Sequence, residues 1–138
     1  MKALTISQPY ASLIASGEKW VENRRWPAGY RGPLAVHAGK GTRYLDRDEL
    51  RAYPTGGIVA VADLLACMPL ASMRQVSRDQ KIQRTDLTVG QVLDHAHTEG
   101  PWCWVLRNVR RVEFVPCRGA QGLWEFDGEL NTKREGED

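Results

Sequence analysis

The sequence predicts a small α+β protein, built as a β-barrel of five to six strands with two or three short helices. Five or six short segments are rich in valine, other apolar residues and tryptophan, and Gly and Pro separate them. Only two or three segments have the composition and boundary residues of helices. The 138 residues contain no internal repeat and no heptad pattern, which fits one domain. Strands with a few small helices between them indicate an α+β barrel.

The first strand is predicted at Lys2–Ile6, which is apolar and weakly alternating. Ser7 can cap the helix that follows, because a serine side chain accepts a hydrogen bond there and Pro9 is favoured in the first turn. Gly17 is a natural residue for the end of this helix, because glycine adopts the left-handed conformation without strain.

The later elements are marked by β-branched and aromatic residues for strands and by charged residues for a helix. In chain order they are a strand at Trp20–Trp26, a strand at Pro33–Ala38, a charged helix at Tyr44–Ala52 and a central strand at Ile58–Leu70, the longest apolar run. Then come a polar, flexible or irregular insertion at Ser72–Leu87, a short helix at Thr88–His97, a strand at Trp102–Phe114 bent or bulged near Asn108, and a closing strand at Leu123–Phe126. We therefore expect one domain over residues 1–127, followed by a polar, acidic and disordered tail over residues 128–138.

Composition argues against several classes of protein. No apolar run approaches the roughly 18 residues that span a bilayer. Gln8, Pro9 and Tyr10 interrupt the apolar N-terminal stretch, so neither a membrane protein nor a signal peptide is predicted. The three cysteines are an odd number without CxxC spacing, which predicts reduced thiols in a cytoplasmic protein, with no disulfide and no metal site. No cofactor is predicted, and the sequence leaves the oligomeric state open.

Charge is distributed unevenly, although the net charge is only +2. Residues 1–44 contain seven Lys or Arg and two acidic residues, which gives +5, and residues 125–138 contain two basic and six acidic residues, which gives −4. The basic third of the chain is also rich in Trp and Tyr. Arginine and aromatic side chains together suit phosphate contacts and base stacking, whereas the alternative interpretation is an ordinary solvated surface.

One motif, GEKWVENR at positions 17–24, has the pattern G-x-K-x-x-E-x-R. Strand alternation places Glu22 and Arg24 on one face, and Lys19, in the turn after the helix, is expected to reach the same cavity. In one interpretation Glu22 neutralises Lys19 and Arg24 and only fixes the loop. In the other, Arg24 or Lys19 meets a phosphate or carbonyl group while Glu22 orients them or a substrate amine.

Gln8, Trp26 and His37 are further candidates. The Gln8 amide can read both a donor and an acceptor on a base edge if its turn faces the same cavity, or it is a loop residue held by backbone contacts. Trp26 is the best candidate for stacking on a base, whereas Trp124 is more typical of a core. His37 lies in a predicted strand, where a lone histidine is more often structural than catalytic.

Four short segments occur in a characteristic order. They are SQPYA at 7–11, the motif at 17–24, YRGP at 30–33 leading into VHAGK at 36–40, and GLW at 122–124. This order resembles the ASCH superfamily (activating signal cointegrator homology), in the form of its cointegrator-type branch standing alone. The resemblance implies a fold similar to that of PUA domains, which bind RNA, and it adds Arg31 and Lys40 to the ligand-binding candidates.

The resemblance implies either a nucleic-acid-binding domain, most often for RNA or single strands, or a hydrolase. One branch of the family removes acetyl from N4-acetylcytidine. Its catalytic lysine matches Lys19, whereas Glu22 stands where that branch has a threonine. Another branch is similar to ribonucleases, in which Lys19 and Arg24 would stabilise a pentacoordinate phosphate and Glu22 or His37 would move protons. Binding module and enzyme stay open, and the expected partner is RNA, another nucleic acid or a nucleoside.

Overall fold

The computed structural model describes residues 1–134 and contains six strands and four short helices in that range. The strands are β1 (Lys2–Ile6), β2 (Val21–Arg24), β3 (Gly32–Ala38), β4 (Gly57–Pro69), β5 (Trp102–Pro116) and β6 (Leu123–Glu125). The helices are α1 (Tyr10–Ser16), α2 (Arg47–Ala52), α3 (Leu70–Met73) and α4 (Val89–Asp94). The strands form one sheet in the order β2-β5-β4-β3-β1-β6. The predicted α+β class is therefore confirmed.

The chain divides into two compact units. The first unit contains Met1–Glu18, Pro33–Ala62 and the chain from Asn108 onward. The second unit contains Lys19–Gly32 and Asp63–Arg107. Both β4 and β5 contribute residues to each unit, so two of the unit boundaries fall inside strands.

In the first unit, β1 pairs in parallel with β3 and antiparallel with β6. Leu4 lies opposite Val36 and Leu123 in these two ladders. Strands β1, β3, β4 and β5 all supply buried side chains, and β3 is buried throughout from Leu34 to Ala38. A buried cluster results, and its members are Ala3, Ala35, Ile58, Val61, Val112 and Phe126.

Helix α1 begins differently from the prediction and ends as predicted. No side chain caps its first residue from Pro9, so the predicted cap by Ser7 is not formed. The Gln8 side-chain carbonyl instead accepts a hydrogen bond from the Ser12 amide at 2.9 Å, which satisfies one of the amides that a helix start leaves without a partner. Gly17, with a φ of +89°, adopts the left-handed conformation that ends the helix.

Helix α2 begins at Arg47, later than the predicted Tyr44, because Asp46 forms its cap. The Asp46 carboxylate accepts from the Glu49 amide at 2.8 Å, and the Glu49 carboxylate accepts from the Asp46 amide at 3.1 Å. This reciprocal pair is a capping box. No residue of α2 is buried, so local hydrogen bonds rather than core packing define this helix.

In the second unit, β2 pairs antiparallel with β5, with Val21 opposite Val105 and Arg24 opposite Trp102. The strand ends at Arg24, so Trp26, predicted to lie in it, follows it in a loop. The early end matters for the site, because it places Trp26 outside the ladder while Glu22 and Arg24 stay within it.

The segment predicted as a flexible or irregular insertion, Ser72–Leu87, is held by buried apolar side chains. Met73, Ile82 and Leu87 belong to the core cluster of the second unit. Turns connect them, and Ile82 and Leu87 are joined by a backbone hydrogen bond of 2.9 Å. Since these three residues follow neither a helical nor a strand period, the sequence pattern gives no sign of their burial.

Two predictions concern the C-terminal part of the chain. Asn108 has a φ of +55°, so β5 does have a backbone irregularity at the predicted position. After β6, the Asn131 carbonyl accepts from the Glu113 amide, and the Lys133 amide donates to the Arg111 carbonyl, both at 2.8 Å. Residues 135–138 lie outside the described residues, so the disordered tail and the domain boundary at residue 127 stay predictions.

Candidate functional site

The motif at positions 17–24 forms a cluster of three charged side chains in the second unit, which we call the ion cluster: Lys19, Glu22 and Arg24. The Lys19 amine lies 2.6 Å from Glu22 Oε1 and donates to the Val21 carbonyl at 2.7 Å. Arg24 donates from Nε to Glu22 Oε2 at 2.9 Å, and its terminal nitrogen lies 2.8 Å from the same oxygen. Both carboxylate oxygens of Glu22 are therefore bound by cations.

The local chain geometry explains why the three side chains meet. Gly17 turns the chain out of α1, and Lys19 lies in the connection before β2 begins. Glu22 and Arg24 follow two residues apart in β2, so they share a face of the strand. The sequence-based expectation that Lys19 reaches Glu22 from this turn matches the observed contact.

The members of the ion cluster differ strongly in exposure. The Lys19 and Glu22 side chains are 4% and 9% exposed, whereas Arg24 is 24% exposed. Two cations share one carboxylate, so the cluster has a formal charge of +1. The surplus positive charge reaches solvent through Arg24, and the buried pair fixes its position.

Trp26 lies half-buried just after the ion cluster and packs on Trp104. The two rings meet edge to face, with centroids 4.9 Å apart and an interplanar angle of 85°. Trp104 is fully buried and donates from its indole nitrogen to the Trp26 carbonyl at 3.2 Å. The contact holds both the backbone and the ring of Trp26, and the exposed Arg25 precedes it in the chain.

Asn23, which sequence reasoning did not single out, ties β2 to the chain before β5. Its side-chain oxygen accepts from the amides of Glu99 at 2.9 Å and Gly100 at 2.8 Å. Its side-chain nitrogen donates to the His97 carbonyl at 2.7 Å. Since all three partners are more than 70 residues away in the chain, no local signal in the sequence identifies this role.

Trp20 and His95 form a second aromatic contact in this unit. Their ring centroids lie 4.2 Å apart, and His95 Nε2 accepts from the Trp20 amide at 3.2 Å. The Arg107 guanidinium lies over the Trp20 ring, 5.5 Å from its centroid. Burial, together with the nearby His97 and Lys19, lowers the pKa of His95 to about 4. His95 is therefore neutral at pH 7, as its acceptor role requires.

Gln8 belongs to the first unit and is fully buried. Its side-chain nitrogen donates to the Ser12 hydroxyl at 2.8 Å and to the Pro54 carbonyl at 2.7 Å, and its oxygen accepts from the Ser12 amide. Both the donor and the acceptor group that base recognition would require are therefore already bonded within the protein. This geometry favours the second of the two interpretations, in which Gln8 is a held loop residue.

His37 is also buried in the first unit, in a set of contacts that we call the histidine network. His37 Nε2 lies 2.8 Å from the Cys117 carbonyl, and Nδ1 lies 3.2 Å from the Thr5 hydroxyl. The Trp124 indole donates to the same hydroxyl at 3.2 Å. Because a carbonyl oxygen only accepts, Nε2 carries the proton. In the neutral imidazole, Nδ1 then accepts from Thr5, which favours a structural role for His37.

The two remaining candidates, Arg31 and Lys40, are exposed. Lys40 and His37 line a cavity of about 910 Å³ in the first unit. Arg31, in the second unit, donates to the Ala28 carbonyl at 2.8 Å and to the Tyr30 carbonyl at 2.9 Å. The structure thus brings Lys19, Glu22 and Arg24 into contact, whereas Gln8, His37 and Lys40 belong to the first unit.

Residues 1–134 contain no group of three or more His, Cys, Asp or Glu side chains suited to hold a metal ion. Within the same range, no helix is long and apolar enough to cross a membrane. Cys67, Cys103 and Cys117 have free thiols, and burial raises the pKa of Cys103 to about 11.

Comparison with known proteins places this arrangement in a family. Activating signal cointegrator 1 of Homo sapiens is 27% identical over 145 aligned residues, and the protein of the same name from Mus musculus is 26% identical. Each alignment covers 93% of this chain but only 22% of the relative, so the chain spans about a fifth of the length of these relatives.

Solved structures show the same fold. The crystal structure of ASCH from Zymomonas mobilis has a TM-score of 0.55 at 15% identity, covering 91% of this chain and 87% of that chain. A tyrosine-to-phenylalanine mutant of that protein gives a TM-score of 0.54 at 16% identity, covering 91% and 89%. Residues 4–116 of the sequence match the family described as the ASCH domain. The resemblance drawn from the four sequence segments is confirmed, and the chain belongs to the ASCH domain family.

Proposed function

We propose that the chain is a nucleic-acid-binding domain that takes RNA or another single strand. The observation that carries the proposal is the ion cluster, in which a buried Lys19–Glu22 pair fixes Arg24 at the surface. Arg25 and the half-buried Trp26 follow directly. The membership of the ASCH family supports the same function.

Two arginines that directly precede one held aromatic residue in the chain match the phosphates and bases of a single strand. A guanidinium group binds phosphate oxygens in a fork, and an aromatic ring stacks on any base. Trp26 is held edge to face on Trp104, so stacking on it loses little side-chain freedom. Lys19 and Glu22 then act as positioning residues. The exposed Lys40 of the first unit is proposed separately as a phosphate contact.

The test is a fluorescence anisotropy titration of a labelled oligouridine at low and at physiological salt. Affinity is expected to fall as salt rises, because phosphate contacts release counterions. Trp26→Ala is expected to weaken binding about tenfold, which corresponds to the loss of one base–aromatic stack.

The matched control is Arg74→Gln, since Arg74 is exposed in the same unit and lies outside the motif. The control is expected to bind almost as tightly as the wild type. Absence of binding by the wild type at low salt would overturn the proposal. Equal losses in Trp26→Ala and Arg74→Gln would show that binding is unspecific electrostatic attraction.

A hydrolase is the second candidate, and one observation favours it. The Lys19 amine is buried and lies 2.6 Å from a carboxylate, an arrangement that suits proton transfer to or from a bound substrate. Liquid chromatography of N4-acetylcytidine incubated with the protein tests an amidohydrolase, and a labelled RNA in the same preparation tests a ribonuclease. Lys19→Met is expected to abolish either activity. Turnover that survives in this variant would exclude Lys19 as a catalytic residue.

A further inference from the structure

A cavity of about 630 Å³ lies in the second unit, and no residue of the motif at positions 17–24 is among its lining residues. It is lined by the loop at Ala28–Arg31, the end of β4, the loop at Gln80–Arg84, and Val89 at the start of α4. Its apolar wall includes Leu65, Met68 and Ile82. The third segment lies in the insertion at Ser72–Leu87, which the sequence predicted to be flexible or irregular.

The charged residues that line this cavity all have the same sign. They are Arg31, Lys81 and Arg84, and no Asp or Glu is among the lining residues. Within residues 1–134, none of the three forms an ion pair with a carboxylate, whereas Arg78 and Arg107 of the same unit do. Cations gathered around a concave surface raise the local concentration of anions.

Arg84 also has an unusual backbone. Its φ is +65°, in the left-handed region where glycine or asparagine is favoured. The strained turn is fixed on both sides, because the Thr85 amide donates to the Ile82 carbonyl at 3.1 Å and the Leu87 amide donates to the Thr85 hydroxyl at 3.0 Å. Folding alone does not favour an arginine here, whereas anion binding does.

The lining of the cavity is complementary to the two parts of a nucleotide, the base and the phosphate. Apolar side chains suit the face of a base, the side-chain amides of Gln80 and Gln83 can pair with its edge, and the cations suit a phosphate. The volume lies in the range of small-molecule sites. We propose that this cavity binds one nucleotide, either free or as part of a single strand, with Arg84 contacting its phosphate. The single-strand form of this proposal rests on the proposed function.

The direct test is isothermal titration calorimetry with uridine 5′-monophosphate and adenosine 5′-monophosphate, compared with uridine and with inorganic phosphate. A mononucleotide is expected to bind more tightly than either of its parts. Arg84→Gly is expected to weaken binding about tenfold, as for the loss of a charge-assisted contact. The thermal midpoint of this variant is expected to stay or rise, because glycine adopts a positive φ without strain.

Lys81→Ala is the second variant and is expected to weaken mononucleotide binding as well, whereas Arg74→Gln is the control and is expected to bind like the wild type. Unchanged affinity in both Arg84→Gly and Lys81→Ala would overturn the proposal, as would the absence of any mononucleotide binding by the wild type.

The oligouridine titration separates this proposal from the broader one. Weaker oligouridine binding by Arg84→Gly supports a nucleotide of the strand as the occupant. Mononucleotide binding without oligouridine binding supports the cavity as a site for a free nucleotide and overturns the proposed function. Oligouridine binding without mononucleotide binding overturns the proposal that the cavity binds a nucleotide, but it does not contradict the proposed function.

Discussion

The ion cluster of β2 and the histidine network of β3 solve the burial of polar side chains in two different ways. In the ion cluster, one carboxylate is shared by two cations, and the net charge of +1 reaches solvent through Arg24. In the histidine network, a chain of hydrogen bonds without a carboxylate runs from Trp124 through Thr5 and His37 to the Cys117 carbonyl.

This difference predicts how strongly the removal of each side chain lowers the stability of the protein. In the ion cluster, Glu22 is the common partner, so its removal deprives the buried Lys19 amine of this carboxylate. In the histidine network, each member makes one or two neutral hydrogen bonds, and each bond contributes a modest share. The first region is therefore expected to be sensitive at one residue, and the second to be sensitive more evenly.

Glu22→Gln is expected to have the largest effect. The variant keeps the shape but leaves Lys19 buried beside an amide, and we expect a loss of about 3 kcal/mol in the free energy of unfolding, typical of a broken buried pair. Urea denaturation measures it. Lys19→Met is the matched control, and a smaller loss is expected because Arg24 still neutralises Glu22. A larger loss in Lys19→Met than in Glu22→Gln would contradict the central place of Glu22.

Gly119→Ala is expected to come next, since it forces a methyl group into the histidine network. A Cβ at this position would lie 2.5 Å from the Thr5 hydroxyl and 2.8 Å from His37 Nδ1. We expect a loss of about 2 kcal/mol, within the range for overpacked sites. In Gly29→Ala the added Cβ meets no atom within 4 Å, so that control is expected to melt like the wild type. If Gly119→Ala and Gly29→Ala melt at the same temperature, the histidine network accommodates the added methyl group without loss of stability.

Thr5→Val removes the middle of the histidine network with little change of shape. The Trp124 indole then loses its acceptor and His37 Nδ1 loses its donor. We expect a loss of about 1.5 kcal/mol in the free energy of unfolding. Thr42→Val, at an exposed threonine, is the control and is expected to change stability little. A loss as large as that of Glu22→Gln would remove the contrast between the two regions.

Acid sensitivity is the smallest expected effect, and it concerns His95 near the ion cluster. Its pKa in the folded protein, about 4, lies below the ordinary value of 6.5, so between these values the unfolded chain binds more protons. Stability contributed by neutral His95 is therefore complete above pH 6.5 and is lost as the pH falls towards 4. After discounting for solvent screening, we expect about 1 kcal/mol. The thermal midpoint is measured at several pH values in this range for the wild type and for His95→Gln. The midpoint of the wild type is expected to fall more steeply with falling pH, and parallel plots of midpoint against pH would exclude the effect.

Sequence patterns predicted the parts of the molecule that depend on neighbours along the chain. Alternation located β1 at Lys2–Ile6 to the residue, and the glycine rule located the end of α1 at Gly17. The contact of Lys19 with Glu22 spans only three residues, so it too was within reach of local reasoning. Each of these features depends on backbone geometry that a few adjacent residues determine.

Features that depend on distant partners were not accessible in this way. The role of Asn23 depends on partners beyond residue 96, and Gln8 is held by Pro54. The positive φ of Arg84 is also hidden, because arginine gives no sign of a left-handed turn. Tertiary contacts decide all three, and a single sequence does not display them.

The capping box of α2 has a consequence for where the chain can open. A six-residue helix without buried side chains has no tertiary packing to protect its amides, so hydrogen exchange there is expected to be fast compared with β1 or β3. Limited proteolysis is expected to cut first around this helix, at its exposed Arg47 or Arg51. Because local hydrogen bonds alone hold Arg47–Ala52, local unfolding is expected to reach this segment before it reaches β1 or β3.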